Sequence, residues 1–276
     1  MLKLLNASFY RLFRNKTFWI CFGISSALAV INTVCACITH CVGIKTDPVN
    51  GGVPLEMHYF TYHYVVSILT AVFASLFIGS EYSDGTVRNK LIVGKQRYSV
   101  YLSYFIVVLA ACMIMAAVWI VVGLLGMPVM GNFVTGVNVL ACIGIGVLAL
   151  TALCAIYTFI GMLISNRAVS AVVMLLTVVV TVIAAMWCFA VLSEPPEYMS
   201  WELVNGEMQQ ICIPNKSYPT GAYRGFLEFI TDFLSMGQFL AVPNLARPIN
   251  MVAYSAVITV VFTVSGALAF SHKHIK

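Results

Sequence analysis

The sequence predicts an all-α integral membrane fold. It has six transmembrane helices, an interfacial helix at the N-terminus and an outer amphipathic or re-entrant helix before the last span. Three observations carry this reading. The chain is 61% hydrophobic and only 9% charged, with mean hydropathy +0.95, whereas a soluble domain carries roughly 25% charged residues. Six apolar runs approach or exceed the ~20 residues that a spanning helix needs. Lys and Arg gather on one side of those runs, as the positive-inside bias of membrane proteins requires.

In chain order, residues 1–16 place Leu2, Leu5, Phe9, Leu12 and Phe13 at helical spacing, with Lys3, Arg11, Arg14 and Lys16 between them. This segment is too short and too polar to span, and suits a helix lying in the membrane interface. The spans follow at 18–42, 60–80, 98–125, 138–164, 169–192 and 250–271, all on one domain covering 1–276. The first apolar run lacks a small-residue cleavage site, so no removable leader is expected. Six spans put both termini on one side. That side holds eleven of the fifteen bases, the exceptions being Lys45, Lys216, Arg224 and Arg247. The expectation is a multi-pass protein of the plasma membrane with cytoplasmic termini.

The outer segment 193–248 opens on the turn signals Pro195-Pro196, Asn205-Gly206 and Pro219-Thr220-Gly221. Phe226, Phe229, Ile230, Phe233 and Leu234 then recur at i, i+3, i+4 spacing with Glu228 and Asp232 off the stripe, which predicts an amphipathic helix.

The segment 79–97 stands apart. It is the long polar stretch among the first 190 residues that carries both acids and clustered bases. Asp84-Gly85 signals a turn. Thr86 is positioned to cap a short helix that puts Val87 and Leu91 on one face and Arg88, Lys90, Lys95 and Arg97 elsewhere. Glu81 and Arg88 are placed to pair across the turn, or Arg88 to meet an acid on a partner. The alternative is a loop that only fixes topology.

Several chemistries are missing. The phosphate-binding Gly-x-x-x-x-Gly-Lys-Ser/Thr loop, His-Glu-x-x-His and Gly-x-Ser-x-Gly do not occur. No catalytic residue, metal site or nucleic-acid partner is therefore expected. The nine cysteines lie mostly in apolar runs as small hydrophobic residues. Cys35, Cys37, Cys41 and His40 together suggest a metal site, but Cys35 and Cys37 are wrongly spaced for a shared helical face; Cys41 and Cys212 both fall on the oxidising side, which permits a disulfide without fixing the pairing. The span interiors contain no Asp, Glu, Lys or Arg. A proton-driven carrier needs such groups in mid-membrane, so energy for transport is expected from another chain. The rival reading, a membrane-embedded enzyme or sensor, would use Asn32, Thr33, Ser67, Thr70, Thr151 and Tyr157, which are scattered along the chain.

Phe77-Ile-Gly-Ser-Glu-Tyr-Ser-Asp-Gly-Thr-Val-Arg-Asn-Lys-Leu91 resembles the Gly-x-Glu-(Tyr/Phe)-x-x-Gly-Thr signature after the second span of ABC-2 type transporter permeases. Arg11-Leu-Phe-Arg-Asn-Lys-Thr-Phe-Trp19 resembles that family's elbow helix. Asp232-Phe-Leu-Ser-Met-Gly-Gln-Phe-Leu240 is similar to its outer re-entrant element, with Ser235 or Met236 where the family often has Pro. The resemblance implies the permease subunit of an ABC exporter, paired with a second copy of itself or a homologous permease. It also implies separate ATPase subunits that carry ATP and magnesium. Glu81, Tyr82, Gly85, Thr86, Val87, Arg88, Asn89, Lys90 and Leu91 would couple to the ATPase. Phe18, Phe22, Phe73, Phe77 and Met162 are the expected lining of the translocation pathway, and Phe226, Phe229, Ile230 and Phe233 the face of the outer helix. Small exporters of antimicrobial or toxic peptides are similar in size, so the expected cargo is an amphipathic peptide or hydrophobic toxin.

Overall fold

A computed structural model describes residues 2–46, 62–130, 139–204, 207–241 and 247–273. The chain opens with α1 (Leu2–Arg14), which turns a corner into α2 (Lys16–Thr46). Leu4, Ser8 and Leu12 are the buried row of α1, one turn apart, whereas Phe13 of the expected stripe faces outward. The corner is fixed locally. The Asn15 side chain accepts from the Thr17 amide at 2.8 Å, and the Trp19 indole donates to the Phe13 carbonyl at 2.7 Å.

The remaining elements are α3 (Tyr62–Ser83), α4 (Thr86–Ile92), α5 (Arg97–Leu125), the short α6 (Met127–Met130), α7 (Val139–Leu163), α8 (Arg167–Leu192), β1 (Glu197–Val204), β2 (Glu207–Pro214), α9 (Gly221–Phe233), α10 (Ser235–Ala241) and α11 (Pro248–His272). Among the described residues six helices, α2, α3, α5, α7, α8 and α11, are long and apolar enough to cross a membrane, as the hydropathy runs predict. The expected starts of the second and fourth spans, at 60 and 138, lie outside the described residues. The first span runs to Thr46, a turn beyond its expected end.

Helices α3 and α7 form the centre, and α2, α8 and α11 leave most of their apolar side chains outward. In a bilayer such exposure costs little, because lipid tails are as apolar as Leu; close packing holds the helices together instead. Two glycines permit that closeness. A Cβ on Gly146 would fall 2.3 Å from His63 Nε2, and one on Gly266 2.1 Å from the Tyr101 hydroxyl. His63 is stacked between Tyr62 and Phe239, with ring centroids 3.8 Å away on either side.

One end of the bundle gathers Arg11, Lys90, Arg97, Arg167 and Lys273, and is called the basic end. The opposite end carries a feature that the all-α expectation misses. Strands β1 and β2 form an antiparallel hairpin in which Val204 faces Glu207, bracketing Asn205-Gly206. The sequence signal was present. Met199, Trp201 and Leu203 alternate with Ser200 and Glu202, and an Asn-Gly pair is the strongest short-range hairpin signal. Beyond the hairpin, α9 lies at the surface. The chain then breaks at Leu234, and α10 is almost wholly buried against α8 and α7.

Candidate functional site

The segment 79–97 is built by two left-handed glycines. Gly85 (φ 67°) ends the turn after α3 and starts α4, and Gly94 (φ 82°) ends α4. At the second, the Lys95 amide donates to the Lys90 carbonyl at 3.2 Å and the Gly94 amide to the Leu91 carbonyl at 2.9 Å. This is the Schellman arrangement, which needs a residue without a Cβ strain penalty at its left-handed position.

The turn closes around Glu81, which is 5% exposed. Its Oε1 accepts from Arg11 Nη1 at 2.6 Å. Its Oε2 accepts from the Thr86 hydroxyl at 2.5 Å, the Tyr104 hydroxyl at 2.7 Å and Lys90 Nζ at 3.0 Å. Lys90 also bonds the Tyr104 hydroxyl at 2.8 Å. Burial pushes the Lys90 pKa down, and the neighbouring carboxylate opposes that shift. A buried carboxylate without such donors would be very costly. Glu81 therefore holds α1, α3, α4 and α5 together through one side chain.

A second contact closes the same end. The Tyr82 hydroxyl donates to the Met162 carbonyl at 2.6 Å. Lys273 Nζ donates to that carbonyl at 2.9 Å and stands 4.3 Å from the Tyr82 ring centroid. Arg97 Nη1 in turn donates to the Lys273 carbonyl at 2.6 Å. The ends of α7 and α11 are thus tied to the end of α3.

Several expectations are corrected here. Glu81 pairs with Arg11 and Lys90, not Arg88, which is exposed on the far side of α4. Thr86 does not cap α4; its hydroxyl donates to the Glu81 carboxylate and to the Glu81 carbonyl at 3.0 Å. Lys90 points into the bundle. Val87 is fully buried and Leu91 packs partly on the core, so this pair seats α4 on its own chain. The outward residues of α4 and its C-cap are Arg88, Asn89, Ile92 and Val93. Arg11, Tyr104, Lys273, Ile92 and Val93 were not among the expected site residues. An exposed Ile92-Val93 pair after a basic helix was the one readable signal.

The expected pathway residues pack against one another. Phe18, Phe73 and Phe77 are buried, with centroids 6.0 Å apart between Phe18 and Phe73 and 5.2 Å between Phe73 and Phe77. Phe22 is half-buried beside Phe18. These four phenylalanines join α2 to α3 as a closed aromatic seam, whereas Met162 is buried on α7, outside that seam.

At the hairpin end the apolar stripe of α9 points outward. Phe226, Phe229 and Phe233 are exposed and Ile230 is half-buried, while Leu227, Thr231 and Asp232 face inward. The acids turn in because Arg247 waits there. Its Nε meets Asp232 Oδ2 at 2.6 Å, its Nη2 meets Oδ1 at 3.2 Å, and its Nη1 reaches Glu228 at 2.8 Å. The Asp232 carboxylate raises the Arg247 pKa. Buried Gln238 completes the joint. It donates to the Asp232 carbonyl at 2.7 Å and accepts from Ser255 at 2.8 Å.

Cys41 and Cys212, between which the sequence leaves a disulfide open, are both free and exposed. No group of His, Cys, Asp and Glu able to hold a metal occurs among the described residues. Of the polar residues proposed for an enzyme, Thr151 is satisfied within its own helix, donating to the Val147 carbonyl at 2.8 Å. Asn32 and Thr33 sit half-buried on α2. Ser67, Thr70 and Tyr157 are buried.

A six-helix bundle with a polar knot at one end and a re-entrant joint at the other is a multi-pass integral membrane protein. Residues 4–184 match the family described as ABC-2 family transporter protein, and the chain belongs to that family. It is a transmembrane transporter subunit; membrane subunits of this kind are generally not themselves catalytic. No curated protein matches the chain.

Proposed function

We propose that this chain is the permease of an ATP-driven exporter, gripped by a separate ATPase subunit through the outward face of α4. ATP and magnesium bind the ATPase. A second copy of the chain, or a homologous permease, completes the membrane pore, and the termini lie in the cytoplasm. The observation that carries the reading is the Glu81 knot. A push on α4 passes through Thr86 and Lys90 to Glu81, and from there to α1, α3 and α5. The helix is the grip and the carboxylate its rigid root. Arg88 and Ile92, one turn apart and both exposed, supply the contact.

The cargo is an amphipathic peptide or a hydrophobic toxin. The spans are apolar and aromatic, and the seam of Phe18, Phe73 and Phe77 must part for a route to open between α2 and α3. Such a route favours an adaptable apolar surface over a sugar or a metal ion. The orientation rests on the eleven of fifteen bases that six spans put on one side of the membrane.

The test is co-purification and turnover in lipid discs. The Arg88→Glu/Ile92→Asp double variant alters only exposed side chains, so the bundle should insert and fold while the ATPase subunit is lost. Amphipathic helical peptides should raise ATPase turnover of the native complex, and sugars should not. Full retention of the ATPase by the double variant would remove α4 as the grip. Stimulation by hydrophilic solutes alone would remove the cargo assignment.

A further inference from the structure

Between α1 and α4 lies a groove of about 350 Å³ whose walls include Leu4, Ala7, Asn89 and Val93, with Lys3 and Lys95 at its rim. Arg11 and Lys90 form its back, where Glu81 already holds both. Two cations against one carboxylate leave one positive charge at the back. Lys3 and Lys95 have no acid within ion-pair distance among the described residues, so the groove is strongly cationic. Its walls are nevertheless mostly apolar. That combination suits a molecule with an anionic head and a greasy body. A free inorganic anion would have no use for the apolar walls.

The surroundings set the depth. Tyr10, Phe13 and Trp19 are all exposed around α1 and the corner, the arrangement by which aromatic side chains mark the headgroup level of a bilayer. Three faces of α4 are distinct: Val87 and Leu91 point inward, Arg88 and Ile92 outward, and Asn89 and Val93 into the groove.

We infer that this groove is a binding site for one anionic phospholipid, its phosphate between Lys3 and Lys95 and its glycerol and upper acyl carbons along Leu4, Ala7 and Val93. The inference does not rest on the ATPase docking on α4, since it concerns a different face of that helix. A lipid held there would fill the angle between the interfacial helix and the Glu81 knot.

The test uses the full-length protein in lipid discs, followed by native mass spectrometry and thermal unfolding. With phosphatidylglycerol, one lipid per chain should survive detergent extraction and raise the unfolding midpoint. Phosphatidylcholine should do neither. A basic side chain near an anionic surface contributes on the order of 1 kcal/mol, which is about fivefold in affinity. Lys3→Gln and Lys95→Gln should each weaken retention about fivefold, and the double variant about 25-fold. Both side chains are exposed, so the midpoint in phosphatidylcholine should not move. Ala7→Trp fills the groove without changing charge and should abolish retention. Equal retention of phosphatidylcholine, or unchanged retention in the double variant, would overturn the site. So would equal stabilisation by glycerol phosphate or inorganic phosphate, which would make it a reader of small phosphates. One-for-one displacement of the lipid by the ATPase subunit would instead assign the groove to a protein contact, and would equally end the proposal.

Discussion

Among the described residues two carboxylates are buried, at opposite ends of the bundle, and they are used differently. Glu81 at the basic end accepts from Arg11, Thr86, Lys90 and Tyr104, groups drawn from three other elements and up to 70 residues away. Asp232 at the hairpin end is held mainly by one residue, Arg247, 15 positions on. The first is a junction whose loss frees several helices at once. The second is a strap across one corner, where α9 turns into α10 and the chain enters α11. Moreover, Arg247 keeps Glu228 at 2.8 Å if Asp232 is removed, whereas Lys90 has no second acid within reach among the described residues. A buried charge with one partner is an obligation, and one with two is a reserve.

Breaking the junction should have the largest effect. Glu81→Ala leaves Lys90, 15% exposed, unpaired, and removal of one partner from a buried pair costs on the order of 3 kcal/mol. We expect lower thermal stability, new protease cleavage near 84–97, and loss of transport even where the protein inserts. Asp232→Ala should cost about 2 kcal/mol, the range of hydrogen bonds to charged groups. It should lower the unfolding midpoint while transport of the surviving fraction continues. If Asp232→Ala abolishes transport and Glu81→Ala does not, the contrast is the wrong way round.

Smaller changes sharpen the contrast. Tyr104→Phe removes one hydroxyl shared by Glu81 and Lys90, for about 1.5 kcal/mol. It should raise hydrogen exchange in α4 and leave α9 unchanged. Lys273→Met removes a donor to Met162 and a cation over the Tyr82 ring, for about 1 kcal/mol. Its expected mark is faster exchange at the ends of α7 and α11. A response confined to α9 from either variant would contradict the separation of the two ends.

The spans were legible because hydropathy over about 20 residues is set by the bilayer itself. Glu81 and Tyr82 were legible as a motif, but their partners were not. Arg11 reads as one more base of an interfacial helix, and Tyr104 as one more aromatic in a span. Only the packing of α1 and α5 brings them to one carboxylate. The stripe of α9 was legible as amphipathic, but its direction was not. An apolar stripe points inward in water, but beside a bilayer it is free to point outward, and the acids turn toward Arg247. The hairpin was legible only through its Asn205-Gly206 turn signal, because its eight-residue strands alternate polar and apolar side chains and make no hydropathy run.

The tie between Tyr82 and Lys273 joins residues 191 positions apart. A ribosome makes the chain from one end, so every group of the Glu81 knot exists long before Lys273 does. The knot can close with three spans made, but the second tie must wait for the sixth. Until then the end of α7 presents the Met162 carbonyl without its lysine donor. Assembly of this end is therefore a two-stage event written into chain order. An unfinished copy carries a formed knot and an open seat for its last helix.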